Sequence, residues 1–363
     1  MGSIYGTLFR IFTWGESHGA GVGVVIDGCP AGLPLCEEDI QKYLDLRRPG
    51  QSVYSTPRNE ADKCAILSGV FEGRTTGTPI SIEVRNTSQR SADYSEIASY
   101  YRPGHADYTF DEKYGFRDYR GGGRSSGRET IARVAAGAVA LIILERLGVD
   151  VCAYTKSIGD ITVQNFDRDE IFRNTLYMPD KKAAAQAREY LDDLMKQGNS
   201  AGGVVECRVS GLSAGLGETV FDKLDAELAK AVMSIGAVKA VELGSGVAAS
   251  HSTGKENNDE FFMEDGQVRK ATNNSGGVLG GMSDGSELIL RASFKPTPSI
   301  SALQHTVNKS GEDIEVSIKG RHDPIIVPRA VIVVRSMMAI VLVDMLLRNM
   351  SCRMDRIEEF YKK

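Results

Sequence analysis

Histidines and arginines set in glycine-rich turns are the residues of this chain best suited to chemistry. Of five histidines, at 18, 105, 251, 305 and 322, three lie in such turns: His18 in GESHG, His105 in YRPGHADYTF and His322 in GRHDP. An imidazole exchanges its proton near neutrality, so these three are candidates for acid–base work or for balancing a developing charge. His251 and His305 read as structural. The segment Tyr119 to Thr130, YRGGGRSSGRET, has three consecutive glycines that let the backbone approach a ligand closely. Ser126 and Glu129 then stand in the spacing of a capping box that opens a helix. A helix tip there offers N–H groups and about half a positive charge to an anion. Arg120, Arg124 and Arg128 add charged donors in the same turn, and Arg47, Arg48, Arg58, Arg102 and Arg321 occupy similar Gly/Pro-rich settings. Guanidinium groups bind carboxylate and phosphate in bidentate fashion, so the set points to a multiply anionic ligand. Gly15 to Gly19 also fits G-x-S-x-G, which offers a Ser17 nucleophile-elbow hydrolase as the alternative. That elbow needs a helix after the serine, whereas AGVGVVIDG reads as turn and strand. There is no Walker A sequence and no complete dinucleotide fingerprint after a clear strand.

These loops need a scaffold. Strand-like runs are Val22 to Ile26, Cys64 to Ser68, Ile80 to Val84, Val204 to Val209 and Glu287 to Leu290. Helical patterns cover Thr130 to Leu147, Ala183 to Met195, Asp222 to Met233 and Arg329 to Leu347, the last behind Pro328. No low-complexity linker divides residues 1–363, which predicts one α+β domain. Gly69 to Val84 and Gly276 to Pro296 each lead through a Gly/Arg loop to a long apolar helix, an internal pseudo-repeat. Residues 250–270 are polar and turn-rich and read as a mobile surface loop.

Composition narrows the classes. With 39 glycines in 363 residues the chain is rich in tight turns, and a net charge of −5 argues against a nucleic-acid partner. The six cysteines are scattered, without a metal or redox pair. The N-terminus lacks a signal-peptide pattern. The longest apolar stretch, Ala330 to Leu347, is interrupted by Arg335 and Asp344, which suits a buried helix better than a membrane span. The expectation is a soluble cytoplasmic protein with reduced thiols.

The loops resemble those of chorismate synthases, in order and over almost the whole length. The segments are GESHG at 15–19, RPGHADYT at 102–109, KYGFRDYRGGGRSSGRETIARVAAGA at 113–138, SGGVLGGMSDG at 275–285, FKPTPSI at 294–300 and GRHDPIIVPRA at 320–330. The resemblance implies a compact β-α-β sandwich, assembled as a homotetramer. It implies conversion of 5-enolpyruvylshikimate 3-phosphate to chorismate and phosphate, the last common step of the shikimate route to aromatic amino acids. Reduced FMN is required although there is no net redox change.

The family pattern also assigns roles. His18 would assist the departing phosphate, and His105 would sit by the flavin pyrimidine edge and stabilise its reduced form. Asp323 with Ser17 resembles the relay that collects the substrate proton by way of flavin N5, with Ser126 as a further relay group. FMN would be held by Arg124, Ser125, Ser126, Gly280, Lys295, Pro296, Thr297, Pro298, Ser299 and Arg321, together with Gly236-Ala237, where the family has Asn-Ala. The substrate would be held by Arg47, Arg48, Arg102, Arg120 and Arg321. Val53 stands where many members carry an arginine tied to substrate or NADPH binding, and Pro298 is a second departure. No added reductase segment is evident, which implies an external flavin reductant.

Overall fold

The computed structural model describes residues 2–55, 60–87, 96–318 and 323–362. Its first sheet is built from β1 (Ile4–Tyr5), β2 (Arg10–Gly15), β3 (Gly21–Asp27), β4 (Cys64–Ser68) and β5 (Ile80–Arg85) in the order β1-β2-β3-β5-β4. Its second comprises β6 (Asp150–Ile158), β7 (Ile161–Thr162), β8 (Gly203–Ser210), β9 (Val238–Leu243) and β10 (Leu288–Phe294) in the order β9-β10-β8-β6-β7. Every pairing in both sheets is antiparallel. The main helices are α1 (Glu37–Arg47), α2 (Asp107–Tyr114), α3 (Thr130–Arg146), α4 (Lys181–Lys196), α5 (Leu224–Met233), α6 (Val327–Asn349) and α7 (Met354–Tyr361). This is an α+β chain in which the expected strands and helices are all found, with β10 reaching four residues beyond its apolar signal.

The two sheets share a connectivity. In each, two neighbouring strands (β2-β3, β6-β8) are followed by a helix (α1, α5) and an edge strand (β4, β9). A further strand (β5, β10) then inserts between that edge and its neighbour, and a long apolar helix (α3, α6) ends the unit. Helix α3 packs on β3 and α6 on β6 and β8, while α3 and α6 pack on each other. Burial nearly all round explains their missing amphipathic stripe. Helix α6 is long and apolar enough to cross a membrane, yet 83% of its most apolar window is buried inside the fold. Asp344, one of its two interrupting charges, is accounted for: Oδ1 accepts the N–H groups of Thr7 (3.0 Å), Leu8 (2.6 Å) and Phe9 (2.9 Å).

Residues 250–270 hold more structure than a surface loop requires. Thr253 and Glu256 form a capping box on a helical turn, and Phe261–Glu264 pairs with Gln267–Lys270 across Asp265 and Gly266, both at positive φ. Lys270 anchors this hairpin by donating from a buried ammonium to Asp259 (3.1 Å) and Asp284 (2.6 Å).

Close approach of α3 and α6 depends on Gly137. A Cβ there would stand 2.2 Å from Ser336 Cβ and 2.6 Å from Ser336 Cα, so no rotamer change relieves the clash. Overpacking of a core costs about 1–3 kcal/mol, against about 1 kcal/mol of helix propensity gained from alanine. Gly137→Ala is therefore expected to lower the free energy of unfolding by roughly 1–2 kcal/mol in urea titrations. An unchanged or higher value would show that the two helices separate at no cost.

Candidate active site

The GESHG segment forms the turn between β2 and β3, so Ser17 is followed by a strand and not by the helix of a nucleophile elbow. Ser17 is buried, and its hydroxyl lies 3.1 Å from His18 Nδ1. The triple-glycine segment packs directly on this pair. A Cβ at Gly121 would stand 2.2 Å from His18 Nδ1 and 3.0 Å from Ser17 Oγ. Asn86, just past β5, donates to the carbonyls of Glu16 (2.9 Å) and Gly19 (2.7 Å) and accepts from Arg128 Nε. Two loops a hundred residues apart are thus locked together around His18.

The start of α3 is a hub. Arg47, at the end of α1, is 2% exposed and donates to Gly127 O (3.2 Å), Thr130 Oγ1 (3.3 Å) and Asp62 Oδ2 (3.3 Å). Arg128 pairs with Asp62 (3.0 Å) and Glu60, all three nearly buried. Burial, helped by the neighbouring Arg329 charge, pulls the Arg47 guanidinium down to about 9. Arg329, in the first turn of α6, donates through Nε to Arg47 O (3.2 Å) and through a terminal nitrogen to Asp323 Oδ2 (2.7 Å). The proposed proton acceptor is thereby tied to the start of α3.

A second group lies where β10 ends. His105 Nδ1 is 2.9 Å from Pro103 O, and Nε2 is 2.8 Å from Ser299 Oγ. Because a carbonyl only accepts, Nδ1 carries the proton and Nε2 accepts from the Ser299 hydroxyl. Lys295 Nζ donates to Gly104 O (2.7 Å), and the Lys295 N–H donates to Ala237 O (3.0 Å). Burial, with Lys239 nearby, lowers the Lys295 ammonium below its ordinary range. Ser200 Oγ donates to Thr297 O (2.7 Å), and the adjacent Ala201 N–H donates to Pro324 O (3.0 Å). The 295–299 segment and the Asp323 segment are therefore sutured through one loop.

Several expected ligand arginines are already committed. Arg47 is held inside by Asp62, Gly127 and Thr130, while its neighbour Arg48 is exposed. Arg102 makes a bidentate pair with Asp107, 2.7 Å at each contact. Burial opposes ionisation of Asp107, but the Arg102 hydrogen bonds outweigh it and hold the carboxyl below its usual range. Arg124 donates to Gly15 O (3.0 Å) and to the carbonyl (3.1 Å) and hydroxyl (2.6 Å) of Thr13, so it laces the glycine segment to β2. Arg120 is exposed and bidentate with Asp118.

The capping box is half made: Ser126 Oγ accepts from Arg128 N (3.3 Å), but Glu129 turns to Thr13 and Arg133. Ser125 Oγ closes a local turn on Gly122 O. The N–H groups of Arg128 and Glu129 are satisfied within this turn, so the helix tip does not present a full anion site. Gly280 turns a hairpin against residues 217–224, and a Cβ there would meet only Met282, at 4.0 Å. Arg58, Arg321 and His322 lie outside the described residues. Arg329, Asp62, Glu60, Asp107 and Asn86 are the supporting residues that the sequence reading did not pick out.

Comparison with known proteins decides among the chemistries open to such a site. Residues 9–347 match the family model of chorismate synthase. The chain belongs to the chorismate synthase family. It is 66% identical over 364 residues to the chorismate synthase of Lachnospira eligens, covering 100% of both chains. Against that of Methanosarcina mazei it is 53% identical over 353 residues, covering 96% and 97%. A solved crystal structure of chorismate synthase superposes with a TM-score of 0.78 at 30% identity, covering 99% of this chain and 97% of the other. The chain is accordingly a carbon–oxygen lyase that takes 5-enolpyruvylshikimate 3-phosphate to chorismate and phosphate. The family is flavin-dependent, and the residues at the end of β10 suit a phosphate-bearing flavin. Thr297 Oγ1 is buried without a hydrogen-bond partner among the described residues, a lysine stands two residues away, and a Cβ at Gly236 would meet only open space.

Two measurements test this geometry. Gly121→Ala drives a methyl into the His18 ring. A shift of about 1 Å at a reacting group can cost a hundredfold, so kcat is expected to fall ten- to a hundredfold with little change in the unfolding midpoint. Wild-type turnover in that variant would separate the glycine from His18. For His105, burial and then the Arg102 charge lower the imidazole from 6.5 to about 4, so it is neutral at physiological pH. Between pH 6.5 and 4 the unfolded chain binds a proton that the folded one does not, so His105 contributes to stability lost as pH falls through that window. His105→Gln should flatten the slope of unfolding free energy there by up to about 1.4 kcal/mol per pH unit. An unchanged slope would mean that the folded protein protonates His105 normally.

Proposed function

We propose that this chain holds reduced FMN along Lys295 to Ser299 with Gly236 and Ala237, and the substrate beside it against the Ser17–His18 turn. When bound, the reduced flavin supplies electron density that loosens the allylic carbon–oxygen bond. His18, its ring fixed by Ser17 and Gly121, is the acid or charge partner of the departing phosphate. Asp323, oriented by Arg329, is the final acceptor of the ring proton. His105 acts as a neutral hydrogen-bonding residue that seats Ser299, beside the flavin whose reduced form it would stabilise. Arg48 and Arg120, both exposed, are the described arginines assigned to the substrate's anionic groups, together with Arg321. Ser126 caps the turn that carries these groups and is a positioning residue.

The observation that carries this reading is the clamp of Gly121 on the Ser17–His18 pair, because it joins two separate motifs at one hydroxyl and one imidazole. We read the chain as a single domain made by internal duplication, a reading supported by the shared strand order of its halves. Assembly as a homotetramer is supported by the exposed apolar residues Phe261, Met263 and Val268 of the 261–270 hairpin. Work in the cytoplasm with an external flavin reductant completes the proposal, and six free thiols accord with a reducing compartment.

Purified protein with photoreduced FMN, kept anaerobic, should release phosphate from 5-enolpyruvylshikimate 3-phosphate without stoichiometric flavin oxidation. Asp323→Asn should lower kcat by roughly 10²- to 10⁴-fold, the range for losing one general acid–base group, with FMN affinity little changed. No phosphate from wild type would remove the reading as a whole. Full turnover by Asp323→Asn would remove only the acceptor.

A further inference from the structure

Arg133 stands in the first turn of α3 with a side chain only 16% exposed, and its guanidinium joins elements far apart in sequence. Nε donates to Glu129 Oε2 (2.8 Å), while the terminal nitrogens donate to Ser234 Oγ (2.6 Å) and Ser234 O (3.2 Å). Ser234 closes the C-terminal end of α5, and its own hydroxyl donates to Ala231 O (2.6 Å). A cation suits that end of a helix, where carbonyls lack partners within the helix. On its other side Glu129 accepts from the Thr13 hydroxyl (3.0 Å). Arg124 donates to the same hydroxyl (2.6 Å) and to Gly15 O (3.0 Å). An unbroken path of hydrogen bonds therefore runs from the turn before Ser17, through Arg124, Thr13, Glu129 and Arg133, to the end of α5.

The turn that follows Ser234 is strained. Val238 N–H reaches back to Ile235 O (3.2 Å), and inside that loop Ala237 sits at φ +72°, in the left-handed region. A residue with a Cβ pays a steric penalty there and keeps the conformation only where its surroundings impose it. Two anchors impose it here. Arg133 grips Ser234 in front of the turn, and the Lys295 N–H grips Ala237 O (3.0 Å) behind it. Gly236 lies between them, and a Cβ there would meet nothing within 4 Å. The strained turn thus presents open space at the two residues assigned to the flavin.

We propose, on the flavin placement given above, that Arg133 is a positioning residue for the reaction: it holds the 234–237 turn in the strained shape that receives FMN. Through Glu129 it keeps that turn in register with the turn that carries Ser17 and His18, so flavin and departing phosphate share one frame.

The measurement is titration of the full chain with FMN in the presence of saturating substrate, followed by flavin absorbance. Arg133→Met keeps the stem and removes the donors. It should weaken FMN by roughly tenfold or more, the scale of losing a hydrogen bond from a charged donor. Glu129, Thr13 and Arg124 still hold the His18 turn in that variant, so kcat at saturating FMN and substrate should stay within about threefold. Adding Ala237→Gly should recover about half of the lost affinity on a logarithmic scale, because glycine takes the left-handed conformation without a clamp. An arginine that only braced α3 against α5 would lower the unfolding midpoint when replaced and gain nothing from the glycine. Wild-type FMN affinity in Arg133→Met overturns the proposal, and so does a loss that Ala237→Gly leaves unchanged. Ser234→Ala removes one acceptor and should cost about threefold, which keeps the proposal testable if Arg133→Met does not fold. Gly236→Leu separates this role from the flavin placement itself. If it blocks FMN while Arg133→Met binds normally, only the role of Arg133 falls. If it binds FMN like wild type, the placement falls and the role of Arg133 with it.

Discussion

Four charges buried at the start of α3 hold the rest of the site in place. Arg47, Arg128, Asp62 and Glu60 are almost wholly out of water, and each cation has a carboxylate within hydrogen-bonding reach. Such a group cannot loosen gradually. Breaking a buried pair by removing one partner typically costs 3–5 kcal/mol, because a bare charge stays behind. Replacing the whole set by apolar residues can be neutral, so stability alone does not account for it. What the network supplies is position. It joins the end of α1, residues 60–62 and the entrance of α3, and through Arg329 it reaches Asp323.

The same accounting separates structural from reactive arginines. A substrate with several negative charges favours a basic pocket, yet a pocket lined only by unpaired guanidinium groups would repel itself before any ligand arrived. Here Arg47, Arg102 and Arg124 are neutralised or spent on backbone carbonyls, and they shape loops whose neighbours face outward. Burial that drives His105 to its neutral form follows the same logic: beside Arg102 and Lys295 another cation would be one too many. Charge in this site is rationed by partners that lie close in space.

Those partners explain what was legible in the sequence and what was not. Long apolar periods identified α3 and α6, and glycine and arginine clusters identified the loops, because both signals are local. The pairing of Arg47 with Asp62 spans fifteen residues and that of Arg128 with Asp62 spans sixty-six, so no local pattern distinguishes these arginines from ligand-binding ones. Arg102 was readable in principle, since Asp107 follows in the same turn and offers a bidentate carboxylate. Asp265-Gly266 between two apolar runs was likewise a hairpin signal inside the segment read as a loop. Glu129 shows the opposite limit: the capping-box spacing is present, but Thr13 on β2 and Arg133, one turn along α3, take its carboxylate instead of the backbone.

The two long helices show why reactive groups collect where they do. Each follows a Gly/Arg loop, each ends a unit of the same strand order, and their flanks pack at the Gly137–Ser336 contact. Their entrances are bridged by backbone as well as charge: Arg329 at the α6 entrance donates to Arg47 O, and Arg47 donates to Gly127 O at the α3 entrance. Loops anchored at such a junction inherit the rigidity of two core helices. Displacing either helix along the other would move His18 and Asp323 relative to each other, since the first is held from the α3 side by Gly121 and the second from the α6 side by Arg329. Tight packing in the core is thus the mechanical condition for proton and phosphate chemistry at its edge.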